Sequence, residues 1–303
     1  MCSSDLGAVV VTPVPELDVL TAVSRAIGAP MAVAGAAAPA LHAHSQENEK
    51  RCVASAMCVA MMLRALHLAK PHVRALLQLK KNHPSITHAY HTQRRMECEA
   101  NRRCNCGIGC GELCEDCGSR MTVMLDACKA GIVQEAGWPM AERHNLKYAK
   151  AANAPQFLDD KVFFKVAAGG MEWIDVGAGP DALGATLADH LGQGHPVVIN
   201  IMVYPSQAPF FTKQTGIEPG KSPYDARHLL PAPRPAERPE PIGHAMLVVG
   251  VQPELRRIRI RNSAGPGWGF HGDLCMSYDL LVPKQTMGLL AIKEVTLHNA
   301  HLL

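Results

Sequence analysis

Apolar and polar positions divide this 303-residue chain into a first half patterned as helix and a second half patterned as strand. The run at 52–69 (CVASAMCVAMMLRALHLA) lacks Gly and Pro and is apolar on almost every face. That pattern predicts a helix buried on most sides, and the charged stretch 47–51 ends abruptly where it begins. A second helix is predicted at 72–81, apolar on one side and stopping before His83-Pro84. A third, at 119–130, opens on Ser119 as N-cap and closes at Gly131. Residues 131–140 read as a turn and 141–160 as polar loop with partial helix. Beyond them lie short β-rich runs at 163–168, 195–204, 244–252, 256–262 and 289–298, bounded by Gly, Pro or Asn. One amphipathic helix, 180–193, interrupts them and ends at Gly194. Helices first and strands afterwards predict an α+β fold with two lobes, not a βαβ repeat. No internal repeat of domain-building length is present.

This patterning sets the expected domains. Residues 46–155 form a helical lobe and 156–303 a β-rich lobe. Residues 1–45 are an Ala-, Pro- and Val-rich extension with at most a short helix at 16–27, packed in part on the β lobe or acting as a pro-segment. A proline-dense insert at 216–242 cannot hold a strand ladder and reads as extended backbone leading into His244. It is either a solvated loop or a segment overhanging the site.

Composition narrows the function classes. The chain is 48% hydrophobic and 19% charged, with a formal net charge of +3. No nucleic-acid partner and no anionic membrane surface follow from so small a charge. No apolar run reaches the roughly 18 residues needed to span a bilayer. No basic region precedes the apolar stretches near the N-terminus, so a signal peptide is not expected and a cytoplasmic location is favoured.

Three local patterns carry chemistry. The first is Cys52, placed where the buried helix begins. A helix N-terminus favours the thiolate, which is the nucleophilic form. Gln46, six residues upstream, is placed to donate to a developing oxyanion together with the Cys52 backbone N–H. The second is Gly243-His244, opening an apolar strand, where an imidazole on a rigid element can shuttle a proton. The third is Asn262, at the end of the next strand, whose amide oxygen can orient that imidazole. Against the first stands a plain structural reading, a packed core thiol, and the histidines outside these patterns, among them His42, His44, His88 and His91, are read as surface residues. Cys58 is read as core, and Met57, Met61 and Met62 as packing.

Taken together, the Gln-x5-Cys spacing, the GHAMLVVG strand and the RNSAGPGWG loop resemble papain-like cysteine peptidases of divergent bacterial type. GIVQEAGWPM (131–140), the 195–204 strand and SYDLL (277–281) extend the similarity, which covers about 46–285. The resemblance implies a helical lobe with a central buried helix and a β-barrel-like antiparallel lobe, with the site in the cleft between. It implies Cys52 as nucleophile, His244 as base, Asn262 as orienter and Gln46 in the oxyanion hole. It also implies Gly118, Gly243 and Trp268 at the substrate side, although Trp268 is equally read as packing its loop. The implied substrate is a peptide or protein, and catalysis needs no cofactor. An amidase or transpeptidase would use the same residues.

Two departures bear on competence. Lys50 and Arg51 stand beside the thiol where the family has small residues, and they either lower its pKa or crowd the oxyanion hole. Ala264 stands where the family has a Trp shielding the His–Asn bond, so that bond is expected to be wetter and weaker. These departures favour a second reading, a catalytically impaired papain-like fold serving as a zinc-containing binding protein.

Six of the 11 cysteines (Cys98, Cys104, Cys106, Cys110, Cys114 and Cys117) fall in one insert at 98–117. Their close spacing and glycine turns suit a structural zinc ahead of an iron–sulfur cluster, with disulfides or free thiols as the alternatives.

Overall fold

A computed structural model describes residues 17–18, 51–99, 120–137, 161–212, 229–239, 243–265, 268–270 and 272–299; at 17, 18, 98 and 99 only the backbone is described. The strands are β1 (Leu17–Asp18), β2 (Ile132–Val133), β3 (Val162–Val166), β4 (Met171–Ile174), β5 (Val197–Met202), β6 (Gly243–Gln252), β7 (Arg257–Arg261), β8 (Asp273–Ser277), β9 (Thr286–Ile292) and β10 (Val295–Leu297). The helices are α1 (Cys52–Leu68), α2 (Pro71–Leu77), α3 (Ile86–Glu99), α4 (Met121–Ala130), α5 (Pro180–Gly192) and α6 (Ala208–Thr212).

The buried helix predicted at 52–69 is α1, in which every residue from Val53 to Leu66 is buried. It stops because Pro71 follows. The residue before a proline avoids helical backbone, and Lys70 is extended with ψ 154°. Pro71 then opens α2, where its missing N–H costs nothing.

Strand pairing is antiparallel throughout the large sheet, in the order β4-β9-β5-β6-β7-β8, with β1 added to β6 beyond the end of β5. β10, β3 and β2 form a second, smaller sheet. The core lies where α1 crosses β5 and β6, with α3 and α4 on the other side of α1 and α5 against β6. This is the two-lobe α+β architecture that the patterning predicts. One buried cation ties the layers together. Arg64 of α1 donates from Nε to the Lys293 carbonyl at 2.6 Å and from Nη1 to those of Gln193 and Gly194 at 3.2 Å each. A buried guanidinium needs such acceptors, and here they come from the β-rich half.

Several expectations are corrected. The 16–27 segment shows strand at Leu17–Asp18, paired with Val251 and Gly250, not helix. The single strand expected at 289–298 is two, β9 and β10, in different sheets. The chain changes sheet at Lys293 and Glu294, whose N–H groups both donate to the Gly170 carbonyl at 2.7 and 3.1 Å. Helix α3 was not predicted, because its sequence (ITHAYHTQRRMECE) is mostly polar and its apolar stripe is short; yet Thr92, Gln93, Arg94 and Glu97 are buried in it, and so are His88 and His91, which were expected at the surface. Its start carries a local signal, since Ser85 Oγ accepts the His88 N–H at 3.1 Å as a cap does. Strands β2, β4 and β8 were also not predicted, β2 lying at Ile132–Val133 where a turn was expected. Within the proline-dense insert, 229–239 is pinned to the body: Leu230 is buried and its N–H donates to the Cys275 carbonyl at 2.8 Å.

Candidate active site

Cys52 is the first residue of α1, and β6 brings His244 to meet it from the other lobe. The next strand returns antiparallel, with Leu247 opposite Arg261, so Asn262 emerges beside the start of β6. His244 Nε2–H donates to Asn262 Oδ1 at 2.7 Å, which leaves Nδ1 for the Cys52 sulfur. Asn262 Oδ1 also accepts the Ser263 N–H at 2.8 Å, and the Asn262 N–H donates to the Gly272 carbonyl at 2.9 Å. The amide therefore presents oxygen, and not nitrogen, to the imidazole.

The electrostatics separate Cys52 from the other thiols. Burial by itself pushes the Cys52 thiol up, but the hydrogen bond and charge of His244 outweigh it. N–H groups of Ala245 and Val53 add to that effect, and Cys52 falls below the ordinary thiol range. Burial pulls His244 down, yet its bonds to Cys52 and Asn262 and the thiolate charge leave it raised. Opposite shifts in two touching groups favour thiolate with imidazolium. Cys58 is pushed well up by burial, with smaller contributions from Cys128 and Glu135, and its Sγ lies 3.8 Å from the Ser85 carbonyl. Cys128 is pushed up by burial to about 12. Both are core thiols, whereas Cys52 is half-buried.

Of the two basic neighbours of the thiol, Lys50 lies outside the described residues. The Arg51 guanidinium lies over the Tyr90 ring, 5.0 Å from its centroid, and it is not among the groups that shift Cys52. A cation held on an aromatic face is drawn away from the nucleophile. The Asn262 end of the His244–Asn262 bond is shielded from water, Asn262 being 4% exposed despite Ala264, while His244 is half-buried. The Phe211 ring lies 5.2 Å from the His244 ring, at 63° to it, and Trp268 stacks on Phe211 at 6.5 Å and 16°. Trp268 is itself buried, and its Nε1–H donates to the Phe210 carbonyl at 2.9 Å, so it packs the loop. Behind Asn262 a cavity of about 10 Å³, lined by Ser55, Ala245 and Ser263 among others, is no larger than one water needs.

Gly243 begins β6 opposite Met202. A Cβ there would stand 3.1 Å from both Asn200 Oδ1 and Met287 Sδ, so a side chain would press on both neighbours. Gly269, at φ +54°, is required: a Cβ would fall 2.3 Å from the Asp273 carbonyl oxygen. Just before Asn262, the buried Arg261 forks onto Asp273, Nε to Oδ1 at 2.8 Å and Nη2 to Oδ2 at 3.0 Å.

Gln46 and Gly118 lie outside the described residues, as do Cys104, Cys106, Cys110, Cys114 and Cys117. Cys98 ends α3, with its side chain not described. Among the described residues no group of His, Cys, Asp and Glu could hold a metal ion. Likewise, none of the described helices is long and apolar enough to cross a membrane. Sequence reasoning missed Phe211; the apolar pair in APFFT was its local signal. It also missed the Val53 and Ala245 N–H groups, which backbone geometry alone places.

No protein-family model matches the chain, and no curated protein sequence does. Solved structures do. Xylellain, a cysteine protease from Xylella fastidiosa, superposes with a TM-score of 0.61 at 19% identity, over 93% of this chain and 87% of that one. The clostridial cysteine protease Cwp84 gives 0.51 at 14% identity, over 85% of this chain and 55% of its own longer one. Procathepsin B from Trypanosoma congolense gives 0.50 at 12%, over 96% and 80%. With a helix-borne Cys52 facing a sheet-borne His244 between two lobes, the chain has the papain-like cysteine-protease fold.

Proposed function

We propose that this chain is a thiol hydrolase of papain type that cleaves peptide bonds in a peptide or protein substrate. The observation that carries the reading is the Cys52–His244 pair, one group lowered and the other raised by mutual contact. The Cys52 thiolate attacks the carbonyl carbon, and the carbonyl π electrons move to oxygen. Gln46 and the Cys52 backbone N–H donate to that oxyanion. The His244 imidazolium then protonates the departing amine, the C–N bond breaks and a thioester remains. Water, deprotonated by His244, attacks the thioester; the acid leaves and the pair is restored. Asn262 holds the imidazole in plane between these steps. Gly118 and Gly243 line the substrate side, and the cysteine insert holds a structural zinc where the chain borders the substrate cleft.

The test uses a thiol-directed epoxide and a peptide library. One label is expected, on Cys52, and Cys52→Ala should lose both labelling and peptide hydrolysis. Retention of either in Cys52→Ala would sink the assignment.

A further inference from the structure

We infer that the end of α1 remote from Cys52, together with α2 and the turn after it, is a docking surface for an anionic lipid bilayer. Charge is sharply segregated along this chain. Residues 51–96 hold eight of its 30 Lys and Arg and none of its 27 Asp and Glu, so the rest carries 22 basic against 27 acidic side chains. A net charge of +3 averages this away. A membrane responds instead to charges within a Debye length, about 8 Å at physiological salt.

The fold sorts these cations. Arg64 is buried on the carbonyls described above, and Arg94 is buried against Glu97. Arg74 is buried too, donating from Nε to the Leu66 carbonyl at 2.8 Å and from Nη2 to that of His67 at 3.4 Å. A guanidinium there satisfies the last carbonyls of α1 and offsets the negative end of its dipole. Outside lie Lys70 at one end of α2 and Lys80 with Lys81 at the other, all exposed. No ion pair among the described residues involves any of the three. Glu135, brought alongside by its N–H bond to the His83 carbonyl at 2.7 Å, is buried.

Apolar groups accompany the lysines. Leu68 closes α1 two residues before Lys70, and Leu79 immediately precedes Lys80. Each is 47% exposed, and they are two of the five large apolar side chains that the described residues expose. This combination favours lipid over a nucleic acid. Residues 68–81 hold no aromatic ring on which a base could stack, and their one arginine is buried. Leucines find no partner on a phosphate backbone, whereas they enter the boundary between headgroups and acyl chains while neighbouring lysines reach the phosphates. Cys52 opens α1 and Leu68 closes it, so the surface lies about 24 Å from the nucleophile by helix rise. Docking there leaves the cleft open to solution.

The experiment sediments the full chain with vesicles of mixed phosphatidylglycerol and phosphatidylcholine, and with phosphatidylcholine alone. Three lysines at about fivefold each should favour the anionic vesicles about a hundredfold, and about 0.5 M NaCl should remove that preference. Replacing all three (Lys70→Gln, Lys80→Gln, Lys81→Gln) should bring binding down to the phosphatidylcholine level, with the thermal unfolding midpoint and peptide hydrolysis unchanged. Leu68→Ser with Leu79→Ser should weaken binding while leaving its salt dependence as it was. Equal binding to both vesicles, no binding to either, or wild-type binding by the folded triple variant overturns the inference. So does unchanged binding by the leucine variant, or a single-stranded oligonucleotide that binds this surface when anionic vesicles do not.

Discussion

Replacing Asp273 by Asn should damage both the fold and the site. The perturbation is small in volume, so no cavity forms and the effect is electrostatic. Asp273 is 4% exposed and accepts both arms of the Arg261 fork, at 2.8 and 3.0 Å, with Arg259 Nε at 3.6 Å. Asn supplies one oxygen and sets its NH₂ group against a second donor. The buried guanidinium then loses its counter-charge and one charge-assisted bond. Removing one partner of a buried pair costs about 3–5 kcal/mol, and the surviving bond brings Asp273→Asn to roughly 2–3 kcal/mol. Because the Asn262 N–H bonds to the Gly272 carbonyl, next to Asp273, the same change should loosen the imidazole acceptor. Urea unfolding followed by Trp fluorescence measures the stability loss, since buried Trp268 shares this loop. The paired control replaces both partners, Arg261→Met with Asp273→Leu, and should recover most of the loss. A single Asp273→Asn as stable as wild type, or a double variant worse than the single, would refute the reasoning.

Other consequences are equally measurable. His244→Ala leaves burial at Cys52 opposed only by the Ala245 and Val53 N–H groups, so the thiol inflection should rise, read as iodoacetamide reactivity appearing only in alkaline solution. An unchanged low inflection would count against the ion pair. His88, His91 and His195 are each held down to about 4, by burial first and then by nearby cations and imidazoles. Between about pH 6.5 and 4 the unfolded chain therefore binds protons that the folded chain does not. Stability is full above that window and should fall as pH drops through it, seen as a declining urea midpoint; a flat midpoint argues against the burial of these rings. Native mass spectrometry should find one or more zinc ions, lost on chelation and on Cys114→Ser with Cys117→Ser, whereas a mass deficit of paired hydrogens would indicate disulfides instead.

Each member of the candidate site was legible where its signal is local. A gap-free apolar run announces α1 and so places Cys52 at a helix start. An apolar strand after a glycine announces β6, and the hairpin that follows announces Asn262 beside it. Such features depend on backbone propensity and burial over a few residues, which sequence carries directly.

What surrounds the site was not legible, because it depends on contacts between distant segments. The polar face of α3 is buried by the elements packed on it, and no periodicity encodes that. Arg51 reads only as a basic neighbour of the thiol until Tyr90, on another helix, is found beneath its guanidinium. Nothing in the sequence around Ala264 shows that Phe211, from α6, comes to stand 5.2 Å from the His244 ring. The sequence by itself therefore determined the order of helices and strands and the positions of Cys52, His244 and Asn262 within them, because patterning and turn chemistry act locally. Tertiary structure alone decided the electrostatics and dryness of the site. Those are sums over neighbours that only the packed chain brings within a few ångströms.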